Sequence, residues 1–154
     1  MTRLTLTTEG DLHIIVTRRF AAPPRMLFRA HTEPALIQKW LLGPDGWTMP
    51  ACVCEARPGG RFRYDWADAN GHGFHVAGEF VALEPHRRIV HIERMYLPDP
   101  TPDNHVETIF EADGGGTLMT MRMTLPDEAT RATMLATGME GGMEASYARL
   151  EGLI

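Results

Sequence analysis

Most of the chain alternates apolar and polar positions, and the places where that period changes mark its elements. Residues 11–20, DLHIIVTRRF, put Leu12, Ile14, Val16 and Phe20 on one side, as in a strand with one buried face. Ala21-Ala22-Pro23-Pro24 ends the run. A proline in the first turn then opens a short helix, PRMLFRAHT, whose apolar stripe is Met26, Leu27 and Ala30. Thr32-Glu33-Pro34 breaks it and starts a second helix, ALIQKWLL, which Gly43-Pro44 stops. The period then returns to two. Strands are expected at 49–57, 61–67, 73–83, 87–97, 104–112 and 116–125, divided by turn formers such as Pro58-Gly59-Gly60 and the glycines at 114–116. Over 125–154 the period lengthens again. Met139, Met143, Ser146, Tyr147 and Leu150 recur at three- and four-residue spacing, which predicts one long helix with a single buried face. Gly138, Gly141 and Gly142 fall inside it, each at a cost of roughly 1 kcal/mol relative to alanine. They are expected to keep room beside the helix, for a packed element or for a ligand.

Strand, two short helices, six strands and a long helix make an α+β chain, read as one domain over 1–154, with the helix packed across one face of the sheet. Residue parity predicts the lining of that face. Phe62, Tyr64 and Trp66 alternate with Arg61, Arg63 and Asp65; Met119, Met121 and Met123 alternate with Thr120 and Arg122. By the same logic Cys52, Cys54 and Ala56, then Phe74, Val76, Gly78 and Phe80, then Val106, Thr108 and Phe110 point inward. In 87–97 both faces are mixed. Arg88 and Arg94 share one set with Val90 and Ile92, so Ile89, His91, Glu93 and Met95 are assigned to the interior.

Composition narrows the field of functions. With 44% hydrophobic and 23% charged residues the chain can bury a core. A net charge of −5 argues against a nucleic-acid partner, and no apolar run is long enough for membrane insertion. The arginine pairs Arg18-Arg19 and Arg87-Arg88 read as a solvated sheet face. Residues 1–11 lack the apolar core of a secretion signal, so a cytoplasmic location is the default. Cys52 and Cys54, one residue apart, suit small buried thiols better than a disulfide or a zinc site.

Several segments then stand out together: WLLGPDGWTM, EARPGGRFRYDW, GEFVALEPHRRIVHIE, ETIFEADGGGTLMTM and ATGMEGGMEASYARLEGLI. In order and content they resemble the Hsp90-ATPase-activator-homologue (AHSA1-like) family of the START/Bet v 1-like, helix-grip superfamily, from about Thr17 to the C-terminus. The resemblance implies a curved antiparallel sheet, seven-stranded here, around the long C-terminal helix. Two short helices after the first strand would close one end and leave a cavity between sheet and helix. Superfamily members bind lipids, hormones and polyketides, and some are cyclases or hydroxylases. The eukaryotic co-chaperones carry an additional N-terminal domain, for which the roughly ten residues before the first expected strand leave no room.

A cavity of that kind would be lined by Trp40, Tyr64, Trp66, Phe80, His91, Glu93, Thr108, Met119, Met121, Met139, Met143 and Tyr147. Ten methionines suit an interior that refits around varied shapes, although stripes of this kind also simply fill cores. His91 and Glu93, two apart on a strand, share a face and form the sharpest polar pair. His72-x-x-His75 straddles a turn without a third ligand, and no metal, cofactor or nucleophile motif is recognised. The expected function is binding of a small hydrophobic or amphipathic molecule. A cyclase- or hydrolase-type enzyme using His91 and Glu93 is one alternative, and a co-chaperone-like domain with a protein partner is another. Monomer and homodimer both remain open.

Overall fold

The computed structural model describes residues 3–154. Its strands are β1 (Thr5–Glu9), β2 (His13–Phe20), β3 (Trp47–Cys54), β4 (Arg61–Asp68), β5 (Gly73–Glu84), β6 (Arg88–Tyr96), β7 (Asn104–Asp113) and β8 (Gly116–Thr124). The helices are α1 (Pro24–Thr32), α2 (Pro34–Trp40), α3 (Glu128–Leu135) and α4 (Met139–Leu153). All eight strands form one antiparallel sheet in the order β1-β2-β8-β7-β6-β5-β4-β3. Each hairpin from β3 to β8 pairs with the next, so one local period-two pattern after another builds the sheet.

Parity predicts the buried face well. Ile14, Val16, Phe62, Val76, Phe80, Ile89, Val106, Phe110, Met119 and Met123 are all buried in a single core. Leu27 and Ala30 of α1 and Ile37 and Trp40 of α2 are buried as well. Glu33 closes α1 and opens α2, with Pro34 in the first turn of the second helix, so the two meet at a corner. Trp40 is sealed in. Its indole N–H donates to the Ala30 carbonyl at 2.9 Å, and its ring stacks on Tyr147 of α4 at 5.8 Å.

Four expectations are corrected. The sheet has eight strands, because Thr5–Glu9 pairs with β2 from Thr5↔Thr17 to Glu9↔His13. That edge strand, TLTTE, has only Leu6 as an apolar residue and so carries no alternation to detect. The closing segment is two helices, not one. Asp127 caps α3 by accepting from the Thr130 N–H at 2.7 Å, and Gly138, in the left-handed region at φ 74°, separates it from α4. No element of the sheet presses on the other two glycines. A Cβ on Gly141 meets nothing within 4 Å, and one on Gly142 meets Pro44 at 3.6 Å. β3 ends at Cys54, which leaves Ala56 exposed in the turn that follows.

Arg18 is the fourth. It is 4% exposed and lies on the inward set of β2, whereas Arg19 faces solvent. Its Nε and Nη2 each donate to Glu144 of α4 at 3.1 Å, and its guanidinium sits 4.8 Å from the centre of the Phe20 ring. Glu144 also accepts from the Leu4 N–H at 2.7 Å. Burial opposes ionisation of Glu144. The Arg18 hydrogen bonds, the Leu4 N–H and the nearby arginine charge outweigh it and hold the carboxyl below its usual range. At the sheet's two ends, β1 is largely polar, and β3 carries exposed Pro50 within a register shift between Thr48 and Ala51.

Two expectations follow for stability. Truncating one partner strands the other as a buried charge, so Arg18→Ala or Glu144→Ala should cost about 3–5 kcal/mol in denaturant unfolding. The double variant Arg18→Met/Glu144→Leu should recover much of that loss. Because the folded carboxyl titrates below the unfolded one, its contribution is complete above the ordinary range, near pH ~4.3, and disappears as pH falls through the folded value. The melting temperature of Glu144→Gln should accordingly fall less steeply than wild type below that pH. In β5, a Cβ on Gly78 would overlap the Ile92 carbonyl oxygen and lie 2.8 Å from Phe62 Cζ. Gly78→Ala should destabilise the chain by at least about 2 kcal/mol, measured in the same way.

Candidate functional site

The inward face of β4–β8 holds most of its chemistry on β6. His91 and Glu93 project to the same side, and the His91 Nε2 to Glu93 Oε1 distance is 2.7 Å. Their side chains are 17% and 30% exposed, so the pair is recessed without being sealed. On one side of Glu93 its strand partner is Gly78, whose missing side chain lets the Phe62 ring lie close. On the other side its partner is Asn104 of β7. Phe62 meets the His91 ring edge-on at 5.2 Å, and Phe80 does so at 6.4 Å. Two phenols complete the surroundings. Tyr64 is pushed well above the ordinary tyrosine range by burial, with Cys54, Cys52 and the Glu93 charge adding to the effect. Tyr147 is raised by burial and then by Glu93. Both stay protonated donors at any ordinary pH.

The twelve residues picked out by pattern divide into two groups. Trp40, Phe80, Thr108, Met119 and Tyr147 are buried in the core. Tyr64, Trp66, His91, Glu93, Met121, Met139 and Met143 point the same way but keep partial contact with solvent. Trp66 is anchored by its indole N–H, which donates to the Leu41 carbonyl at 2.7 Å, and it stacks on Phe74 at 5.1 Å. Two surface clefts lie elsewhere. One, about 510 Å³, is lined by Arg3, Arg18, Gly141, Glu144, Ala145, Ala148 and Glu151; the other, about 480 Å³, lies against the turn at 113–116. Neither includes any of the twelve.

Sequence reasoning missed two polar groups. His31, near the end of α1, donates from Nδ1 to the Leu27 carbonyl at 2.7 Å, since a carbonyl can only accept. Its Nε2 is buried with no partner, and the ring lies 4.8 Å from Trp40 and 5.1 Å from Phe110. Burial lowers its pKa to about 4, against the opposing pull of the Leu27 carbonyl and with help from His91. Asn104 is 3% exposed, and its Oδ1 likewise has no partner. Their signals were present: His31 follows Leu27 by four residues on one helical stripe, and Asn104 shares the parity of Val106 and Thr108.

The other candidates do not assemble into a site. His72 is exposed and pairs with Asp68 at 3.3 Å, while His75 stacks on Tyr96 at 4.4 Å, so the two rings serve separate contacts. Among the described residues no three His, Cys, Asp or Glu side chains are placed to hold a metal ion. Cys52 and Cys54 are free thiols, each pushed up to about 11, chiefly by burial, and so are poor nucleophiles. Among the described residues no helix is long and apolar enough to cross a membrane.

Comparison with known proteins bears on this arrangement. A solved structure from Rhodobacter sphaeroides is 28% identical, covers 98% of this chain and 97% of its own, and superposes with a TM-score of 0.92. Protein Ms6760 from Mycobacterium smegmatis matches at 21% identity over 98% and 96% of the two chains, with a TM-score of 0.87. An AHSA1-like protein from Aeromonas hydrophila matches at 20% identity over 92% and 94%, with a TM-score of 0.77. These place the sheet and its C-terminal helix in the helix-grip fold. No curated protein matches the chain. The family model for activator of Hsp90 ATPase homolog 1-like proteins matches residues 21–154, nearly the whole chain, and the protein belongs to that family.

Proposed function

We propose that this chain binds a small hydrophobic or amphipathic molecule against the inward face of its sheet, beside α4. The observation that supports the reading is a mismatch between direction and burial. Tyr64, Trp66, Met121, Met139 and Met143 point into the grip, yet they stay half-buried while their strand neighbours Phe62, Val76 and Met119 are sealed. Apolar side chains turned inward gain roughly 25 cal/mol per Å² when covered, so partly wet ones inside a fold leave that stabilisation for a ligand to supply. Three of the five are methionines, whose unbranched side chains swing aside at little cost. His91 and Glu93 set a polar group into this apolar wall, the composition typical of small-molecule sites.

A second reading uses the same residues. The 2.7 Å contact between His91 and Glu93 would let the carboxylate orient and charge-balance the imidazole as a general base, the arrangement of a cyclase- or hydrolase-type enzyme.

Native mass spectrometry of freshly purified protein, then a thermal-shift panel of lipids, sterols and polyketides, tests the first reading. A bound mass is expected, or a ligand that adds about 2.7 kcal/mol of stability at a hundred times its Kd. Met143→Trp, which adds bulk on the core-packed side of α4, should weaken that ligand at least tenfold without unfolding the chain. A consistently empty protein that no panel member stabilises would overturn the proposal. Under the second reading, Glu93→Gln abolishes turnover of a bound compound while leaving its affinity largely intact.

A further inference from the structure

The inward face is unusual in which half of a hydrogen bond it offers. The Glu93 carboxylate can only accept, so the nitrogen of His91 that faces it, Nε2, is the protonated one. In the neutral ring the other nitrogen, Nδ1, then carries a lone pair and can accept a hydrogen bond. His31 shows the same pattern, because donation from Nδ1 to Leu27 leaves Nε2 as an acceptor, buried and unpartnered. Asn104 Oδ1, beside Glu93 in the β6–β7 register, is a third acceptor, and it has no donor. A buried acceptor left unpaired costs about 1–3 kcal/mol, and a donor that reaches it recovers that energy.

Among the described residues, the arginines of β4 to β8 turn away from the same face. Arg61, Arg63, Arg88, Arg94 and Arg122 all lie on the outward set of their strands. Several are already tied up there: Arg88 with Glu84 and Glu107, Arg94 with Glu79 and Asp103. The one inward arginine of the sheet, Arg18, is committed to Glu144 and Glu151. An anionic head group brought beside Glu93 would lose its water, meet acceptors and a like charge, and find no counter-ion.

Building on the binding reading above, we propose that the molecule held here presents a hydrogen-bond donor, a hydroxyl or a phenol, to His91 and its neighbouring acceptors, and that the site rejects carboxylate-headed analogues of the same shape. His91 Nδ1 is the primary acceptor. Glu93 acts through it by fixing which nitrogen carries the proton, as an orienting carboxylate does for any histidine it holds. Tyr64 and Tyr147 remain protonated beside Glu93, so they can in turn donate to the hydroxyl oxygen of the same ligand.

Three matched probes test the proposal: 4-nonylphenol, its methyl ether 4-nonylanisole, and 4-nonylbenzoate at pH 7.5. Affinities can be read from quenching of tryptophan fluorescence and checked by calorimetry. The phenol is expected to bind at least tenfold more tightly than the ether, which has the same shape without the donor, and at least tenfold more tightly than the benzoate. In His91→Phe the phenol-to-ether ratio should collapse toward one while ether binding is retained, which also shows that the variant folds. Equal wild-type affinity for phenol and ether, or a benzoate that binds as tightly as the phenol, overturns this inference and leaves the binding reading standing. If none of the three binds, this inference fails, and the binding reading is decided by the native mass spectrometry and ligand panel above. The wild-type comparison decides the matter even where the variant does not fold.

Discussion

One buried ion pair holds the ends of this chain against each other. Arg18 comes from the second strand, Glu144 from the closing helix, and Leu4 from the segment before the first strand; all three meet at a single carboxylate. A guanidinium this deeply enclosed is tolerable only with its partner in place. The pair therefore specifies where α4 lies along the sheet and which of its faces turns inward. With that fixed, Tyr147 falls between Phe20 and Trp40, Ser146 accepts from the Gly43 N–H, and Arg149 reaches the Trp40 carbonyl. The two short helices are held down by the same helix that the arginine positions.

The interior that results is divided in character. Around α1 and α2 the packing is dry and aromatic. Toward β4 and β6 more inward side chains keep contact with solvent, Tyr64, Trp66, His91 and Glu93 among them. Gly78 marks the boundary, because its bare backbone lets Phe62 settle beside His91 and Glu93. The recessed His91–Glu93 pair on this face is the polar feature on which the proposed binding site rests.

Much of this was legible in the residues because a strand's two-residue period is a local property, and it assigned the inward sets of β4 through β8 correctly. What escaped shares one physical cause: it depends on partners remote in the chain. Parity turned Arg18 inward while its charge argued outward, and only Glu144, 126 residues away, resolves the conflict. β1 is a strand because β2 offers it a ladder, with too little apolar content to announce itself. The break at Gly138 was hidden because the spacing that announced the helix, Met139 to Leu150, lies wholly beyond it and does not mark where that helix begins. His31 and Asn104 followed the right periodicities, but a polar residue on an apolar stripe is noticed only once its missing partner can be seen.

The two ends of the sheet bear on how copies of this chain meet one another. An open sheet invites another strand to extend it, the route by which many β-rich chains polymerise. Here one margin is a five-residue ribbon of threonine and glutamate, and the other is interrupted by Pro50, which has no N–H to offer, at a point where the ladder already slips. Neither margin is a good template for an incoming strand. Both borders of the sheet are thus unsuited to growth by strand addition.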